Sequence, residues 1–183
     1  MALDELMQGL PAYAKDLKLN FSSLVRQNTE LTSQQLWGTV VAAAIATRNA
    51  ELTAAAVEEA GKVLTPVALD AAKAAAAIMG MNNIYYRFHH LTENPKYATL
   101  PARLRMNILR GHHVDHNDFE LWCLAVSAVN ACGKCVASHE SVLRGKGVTE
   151  ELINAAVRVT SVVHAIGVVV DAEKAAPTPV EAV

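Results

Sequence analysis

The chain has 183 residues, 52% of them hydrophobic and 32 of them alanine, with few aromatics and a formal net charge of −2. That is long enough for one domain with a sizeable core, or two small halves sharing one, and the composition favours packed helices. A near-neutral balance without a Lys/Arg cluster excludes the electrostatic footprint of a nucleic-acid binder or of a patch for anionic membranes.

The opening, MALDELMQGL, lacks the basic and apolar regions of a signal peptide. The longest apolar runs, such as GTVVAAAIAT, are shorter than a bilayer span. The expectation is a cytoplasmic protein without a membrane partner. Pro11 is placed at the first position of a helix, PAYAKDLKLNFSSLV. Thr32 and Gln35 fit a capping box ahead of QLWGTVVAAAIATRN, with Asn49 closing that helix. A short helix over residues 51–62 ends near Gly61. Thr65 and Pro66 form an N-cap and first-position pair for a helix to about Gly80, and MNNIYYRFHHL continues it. LPARLRMNIL reads as another helix, and RGHHVDHN as a polar loop. Asn117 or Asp118 caps FELWCLAVSAVN. A segment carrying two cysteines then runs to the break at Gly145. Thr149, with Glu150 and Glu151 behind it, opens a last helix to about Glu173. The tail APTPVEAV is expected to be loose. No alternating period suggests a strand, so the class is all-α.

Residues 35–66 align without a gap on residues 120–151, an offset of 85. Both copies begin with Leu-Trp, run through an apolar helix and a shorter one, break at glycine, and lead into a long Ala/Val helix. The reading is one all-helical domain over 1–183 built from two related halves, a degenerate one at 35–80 and a catalytic one at 120–170. The copies differ where chemistry would lie. Glu120 faces Gln35, Cys132 faces Thr47, Cys135 faces Ala50 and His139 faces Ala54. A fold that forms in the first copy without these groups does not need them in the second.

Three cysteines in a reducing compartment argue against a disulfide framework and for catalysis, redox work or metal binding. In NACGKCVASH, Cys132, Cys135 and His139 fall at 0°, about 300° and about 340° on a helical wheel, one narrow stripe. A helix beginning near Cys132 would put both thiols at its positive end, and Lys134 or a histidine would lower a thiol pKa further. Zinc is one alternative: the motif supplies three ligands, and the histidines at 112, 113 and 116 could supply a fourth. Buried small residues are another. A redox dithiol fits best, though not in a thioredoxin fold, since no βαβ pattern is present. Glu120 alone reads as a helix-dipole partner. Cys123 reads as core, His164 as a buried structural residue, GHHVDH as a solvated loop, and His89 and His90 carry no signal.

Taken together, Glu120, CGKC and His139 resemble the Glu…CxxCxxxH pattern of the alkylhydroperoxidase D group, within the wider carboxymuconolactone-decarboxylase-like fold. LPAYAKDLKLN, QLWGT, ATRN, AAAIMGMNN and FELW…AVSA extend the resemblance over nearly the whole chain. It implies an all-helical homotrimer and a peroxidase without metal, haem or flavin. The implied substrates are hydrogen peroxide and organic hydroperoxides. The implied reductant is the lipoyl group of a dihydrolipoamide acyltransferase, recharged by dihydrolipoamide dehydrogenase. Cys135 would be peroxidatic, Cys132 resolving, and His139 with Glu120 the proton relay. Some members carry histidine just before the second cysteine; here Lys134 stands there, able to favour a thiolate but poorly suited to shuttling protons near neutrality. Spacing supports the assignment, since His139 is one turn from Cys135 and about 10.5 Å along the axis from Cys132. Cys132 is expected to be the more exposed thiol. A lactone decarboxylase of the wider fold, or a non-enzymatic zinc or scaffold protein, remains the alternative.

Overall fold

The structure is a computed structural model, and it describes residues 2–175. Among them are nine α-helices, two 3₁₀ turns and no strand. The helices are α1 (Ala2–Gln8), α2 (Lys15–Arg26), α3 (Ser33–Thr47), α4 (Ala50–Ala60), α5 (Pro66–Leu91), α6 (Pro95–Thr99), α7 (His116–Val129), α8 (Gly133–Gly145) and α9 (Glu150–Ala175). The all-α expectation therefore holds. The APTPVEAV tail, residues 176–183, lies outside the described residues.

Local signals set several of these ends. Thr32 accepts from the Gln35 amide and the Gln35 side chain returns to the Thr32 amide, a complete capping box. Thr65 caps α5 with Pro66 behind it. Thr149 accepts from the Leu152 amide at 3.3 Å. Other expectations need correction. Pro11 precedes a 3₁₀ turn at Ala12–Ala14, and α2 begins only at Lys15. Arg48, in the left-handed region, closes α3, while Asn49 caps α4 by accepting from the Leu52 amide. Asp115, not Asn117 or Asp118, caps α7. LPARLRMNIL is not a helix: Arg103 takes φ 52° and only Asn107–Leu109 forms a 3₁₀ turn.

Helices α3 and α7 are apolar nearly all round, which requires neighbours on every side. They pack on each other at the centre, with α5 and α9 each packing against both. Helix α4 follows α3 closely, and α8 packs on α7 and α5. One apolar cluster gathers Leu36, Val40, Leu52, Leu121, Leu124, Leu143, Val159 and Ile166; the other gathers Val41, Ala72, Met79, Phe119, Trp122 and Val126. The closest approach is at Gly38, where a Cβ would overlap the Trp122 indole. That indole donates from Nε1 to the Gln35 carbonyl at 3.3 Å.

Shifted by 85 residues, the ends of α3, α4 and α5 fall within three residues of those of α7, α8 and α9. The duplication itself stays an inference from sequence. The expectation that no segment could span a bilayer needs qualifying: α9 is long and apolar enough by length and composition alone. Over half of its most apolar window is buried inside the fold.

Candidate active site

Cys132 stands at the N-cap of α8 and Cys135 in its first turn. Their Cα atoms are 5.3 Å apart and the two sulfurs are joined as a disulfide. The turn that delivers Cys132 needs Ala131 in the left-handed region (φ 53°), and the Cys132 amide donates to Ser127 O at 3.0 Å. A polar network holds the same turn from α5. Asn83 donates to Ser127 Oγ at 2.9 Å, Asn130 donates to Asn83 Oδ1 at 3.0 Å, and Arg87 donates to the Asn130 carbonyl at 2.6 Å. The Cys132 side chain makes no capping bond. Both sulfurs therefore belong to residues at the N-terminal, electropositive end of α8.

His139 lies one turn beyond Cys135. Its Nδ1 meets Glu120 Oε2 of α7 at 2.6 Å, and its Nε2 lies 3.3 Å from the Met79 sulfur of α5. Both side chains of the His139–Glu120 pair are 13% exposed. With Nδ1 against a carboxylate, the proton sits on Nδ1 when the ring is neutral, and Nε2 is the nitrogen that gains or loses one. The other Glu120 oxygen lies 3.7 Å from His116 Nε2. Glu120 is the fifth residue of α7, beyond its first turn, so the dipole role does not describe it.

Cys135, His139, Ser138 and Lys134 of α8 open onto a cavity of about 340 Å³, closed by Met79, Asn82 and Tyr86 of α5 and by Met106 and Leu109. The last two belong to the stretch misread as helix; its apolar residues cover the cavity instead of forming a helical face. A larger cleft of about 610 Å³ between α1, α4 and α9 is lined by Glu5, Glu51, Glu58, Glu173 and Lys174, and holds no cysteine or histidine. The smaller cavity is the one that holds a cysteine and a histidine.

Several expected placements change. Cys132 is fully buried and Cys135 is 6% exposed, so the expected order of exposure is reversed: the fold closes over the N-cap sulfur and leaves Cys135 at the cavity wall. Lys134 is exposed, its ammonium 5.8 Å from the Tyr86 ring centre. His164 is exposed, not buried. The GHHVDH segment is only partly solvated, because His112 is buried and stacks on Phe119 at 4.2 Å. Burial first, then the nearby His116, lowers the His112 pKa. Cys123 is core as expected; burial, then the Glu120 charge, pushes its thiol well above the usual range. Among the described residues no three His, Cys, Asp or Glu side chains are arranged to hold a metal ion. The sequence singles out His116 only as a possible zinc ligand, and it does not single out Met79 or Asn82. The one signal for Asn82 was its amide in an otherwise apolar helical run.

The carboxymuconolactone decarboxylase family model matches residues 95–177, which span α6 to α9. The chain is 68% identical to alkyl hydroperoxide reductase AhpD of Acidobacterium capsulatum, over 95% of each chain. It is 62% identical to the protein of that name from Koribacter versatilis, over 95% of this chain and 90% of the relative. With the one from Solibacter usitatus it shares 58% identity, over 94% and 97%.

Proposed function

Since this chain belongs to the carboxymuconolactone decarboxylase family and, within it, to the alkyl hydroperoxide reductases of the AhpD group, we propose that it is a thiol peroxidase cycling through Cys132 and Cys135. The observation that carries the reading is the cysteine pair at the start of α8, with the His139–Glu120 pair one turn on and an apolar cavity in front of Cys135.

Reduced Cys135, as thiolate, attacks the terminal oxygen of the hydroperoxide. The S–O bond forms, the O–O bond breaks, and sulfur becomes a sulfenic acid while peroxide is reduced to alcohol or water. The leaving oxygen needs a proton, which His139 supplies from Nε2 while Glu120 stabilises its charged form. Cys132 then attacks the sulfenic sulfur, water leaves, and the disulfide forms. A dithiol resets the pair by exchange. Lys134, exposed at the rim, favours the thiolate electrostatically. No metal, haem or flavin enters this scheme.

The proposed reductant is the lipoyl group of a dihydrolipoamide acyltransferase, kept reduced by dihydrolipoamide dehydrogenase. Because Cys132 is buried, a slender dithiol arm reaches the pair at the Cys135 side. The proposed setting is the cytoplasm and the proposed assembly a homotrimer. A peroxidase assay comparing dihydrolipoamide with thioredoxin and glutathione tests the reading; turnover is expected with dihydrolipoamide. A lactone decarboxylase would need neither cysteine, so oxidation of two thiols by one equivalent of peroxide separates the two.

A further inference from the structure

Asn82 and Asn83 are adjacent on α5, and both are buried. Asn83 is fully engaged, donating to Ser127 and accepting from Asn130. Asn82 is not. Its Oδ1 is enclosed and accepts no hydrogen bond, the one such buried side-chain atom among the described residues, and its amide nitrogen donates to no group of the chain. A buried amide without partners is costly, and an apolar side chain of similar shape would avoid that cost. Asn82 lines the cavity that holds Cys135 and His139.

We propose that Asn82 is the hydroperoxide-binding residue of this cavity, its amide N–H donating to the peroxide oxygen that leaves as alcohol. The inference rests on the peroxidase reading above. A hydroperoxide brings oxygen acceptors and one O–H donor, the complement of an unpaired amide. The other polar side chains of the cavity differ from Asn82 in burial or in role. His139 Nδ1 is held by Glu120, and Nε2 must deliver the proton. Lys134 and Ser138 are exposed to solvent, and Tyr86, whose phenol is also a donor, is only half-buried. Asn82 is the buried, neutral donor, so it stabilises charge growing on the leaving oxygen without pairing with the thiolate. The bonds and electrons are those of the first step above: S–O forms, O–O breaks, sulfur is oxidised, and the proton comes from His139. Asn82 lowers the barrier and is itself unchanged.

The test uses pre-reduced full-length protein mixed rapidly with cumene hydroperoxide, following oxidation of Cys135 in a single turnover. Iodoacetamide alkylation of the same thiol, in the absence of peroxide, is the control. Asn82→Leu is expected to slow the peroxide step on the order of 10²-fold, to leave alkylation unchanged, and to leave the thermal midpoint unchanged or raised. Asn82→Ala gives the same comparison if leucine does not fit. A wild-type rate with peroxide in a folded variant overturns the proposal, as does a parallel loss of alkylation, which would mean that Asn82 acts on the thiol. If the wild-type thiol alkylates normally but does not react with peroxide, the peroxidase reading itself falls.

Discussion

Glu120 meets His139 at 2.6 Å across 19 residues of sequence, from the first half of α7 to the middle of α8. Glu120→Gln keeps the shape and removes the charge that stabilises an imidazolium. Peroxidase turnover should fall by something like 10²-fold or more. Stability should change by no more than about 1 kcal/mol, as expected of a partly buried carboxylate replaced by its isosteric amide, and in line with Gln35 at the aligned position of the repeat inferred from sequence. Turnover and a denaturant melt on the same preparation check both halves. Unchanged turnover would remove Glu120 from the mechanism.

The two cysteines should separate cleanly by single replacement. Cys135→Ser should abolish reaction with peroxide. Cys132→Ser should consume about one equivalent and stop at a sulfenic acid on Cys135, because nothing resolves it. Mass spectrometry with a sulfenate trap after one peroxide pulse reads the outcome. The reverse labelling pattern would exchange the roles.

His112 gives a pH dependence of stability. Its pKa in the fold lies below the ordinary value of about 6.5, because burial against Phe119 disfavours the charged ring. The unfolded chain therefore binds more protons than the fold in the acid range. The contribution of this residue is present above about pH 6.5 and is lost as the pH falls through the lowered value. His112→Phe keeps the stacked ring and removes the titration. Thermal midpoints taken across this range should fall less for the variant than for the parent chain. Equal slopes would assign the acid loss elsewhere.

The assembly is open to direct measurement. Ile84, Phe88 and Leu91 form one exposed stripe along the C-terminal part of α5, with Phe88 lying 5.0 Å from the ring of Tyr97. If the chain is a homotrimer and this stripe is covered in it, light scattering at micromolar concentration should give the mass of three chains, and Phe88→Glu with Leu91→Glu should shift it toward one. A monomeric parent chain would count against the assembly.

What could be read in advance follows from the range of each signal. The capping box at Thr32 and Gln35 and the Thr65–Pro66 pair act within a single turn, so they stand in the sequence and in the structure alike. Cys135 and His139 share α8 and Cys132 caps it, so their nearness follows almost entirely from the helix pitch. Glu120 was marked by the repeat comparison and by family resemblance but not by spacing, because helix packing brings α7 to α8. Met79 and Asn82 arrive from α5 in the same way. Residues 100–109 misled for a related reason: Leu109 and Met106 satisfy their apolar character against the cavity, while the positive φ at Arg103 prevents the helix their spacing suggested. The buried position of Cys132 depends on what surrounds the α7–α8 turn, which no local pattern reports.

The indole seated over Gly38 has a meaning for how this protein can drift over generations. A side chain at 38 must be preceded by a smaller ring at 122, and a smaller ring at 122 alone leaves a hollow between the two central helices. Each single step passes through a poorly packed ancestor. Positions 38 and 122, 84 residues apart in the gene product, are therefore inherited as one character: lineages should hold both or exchange both.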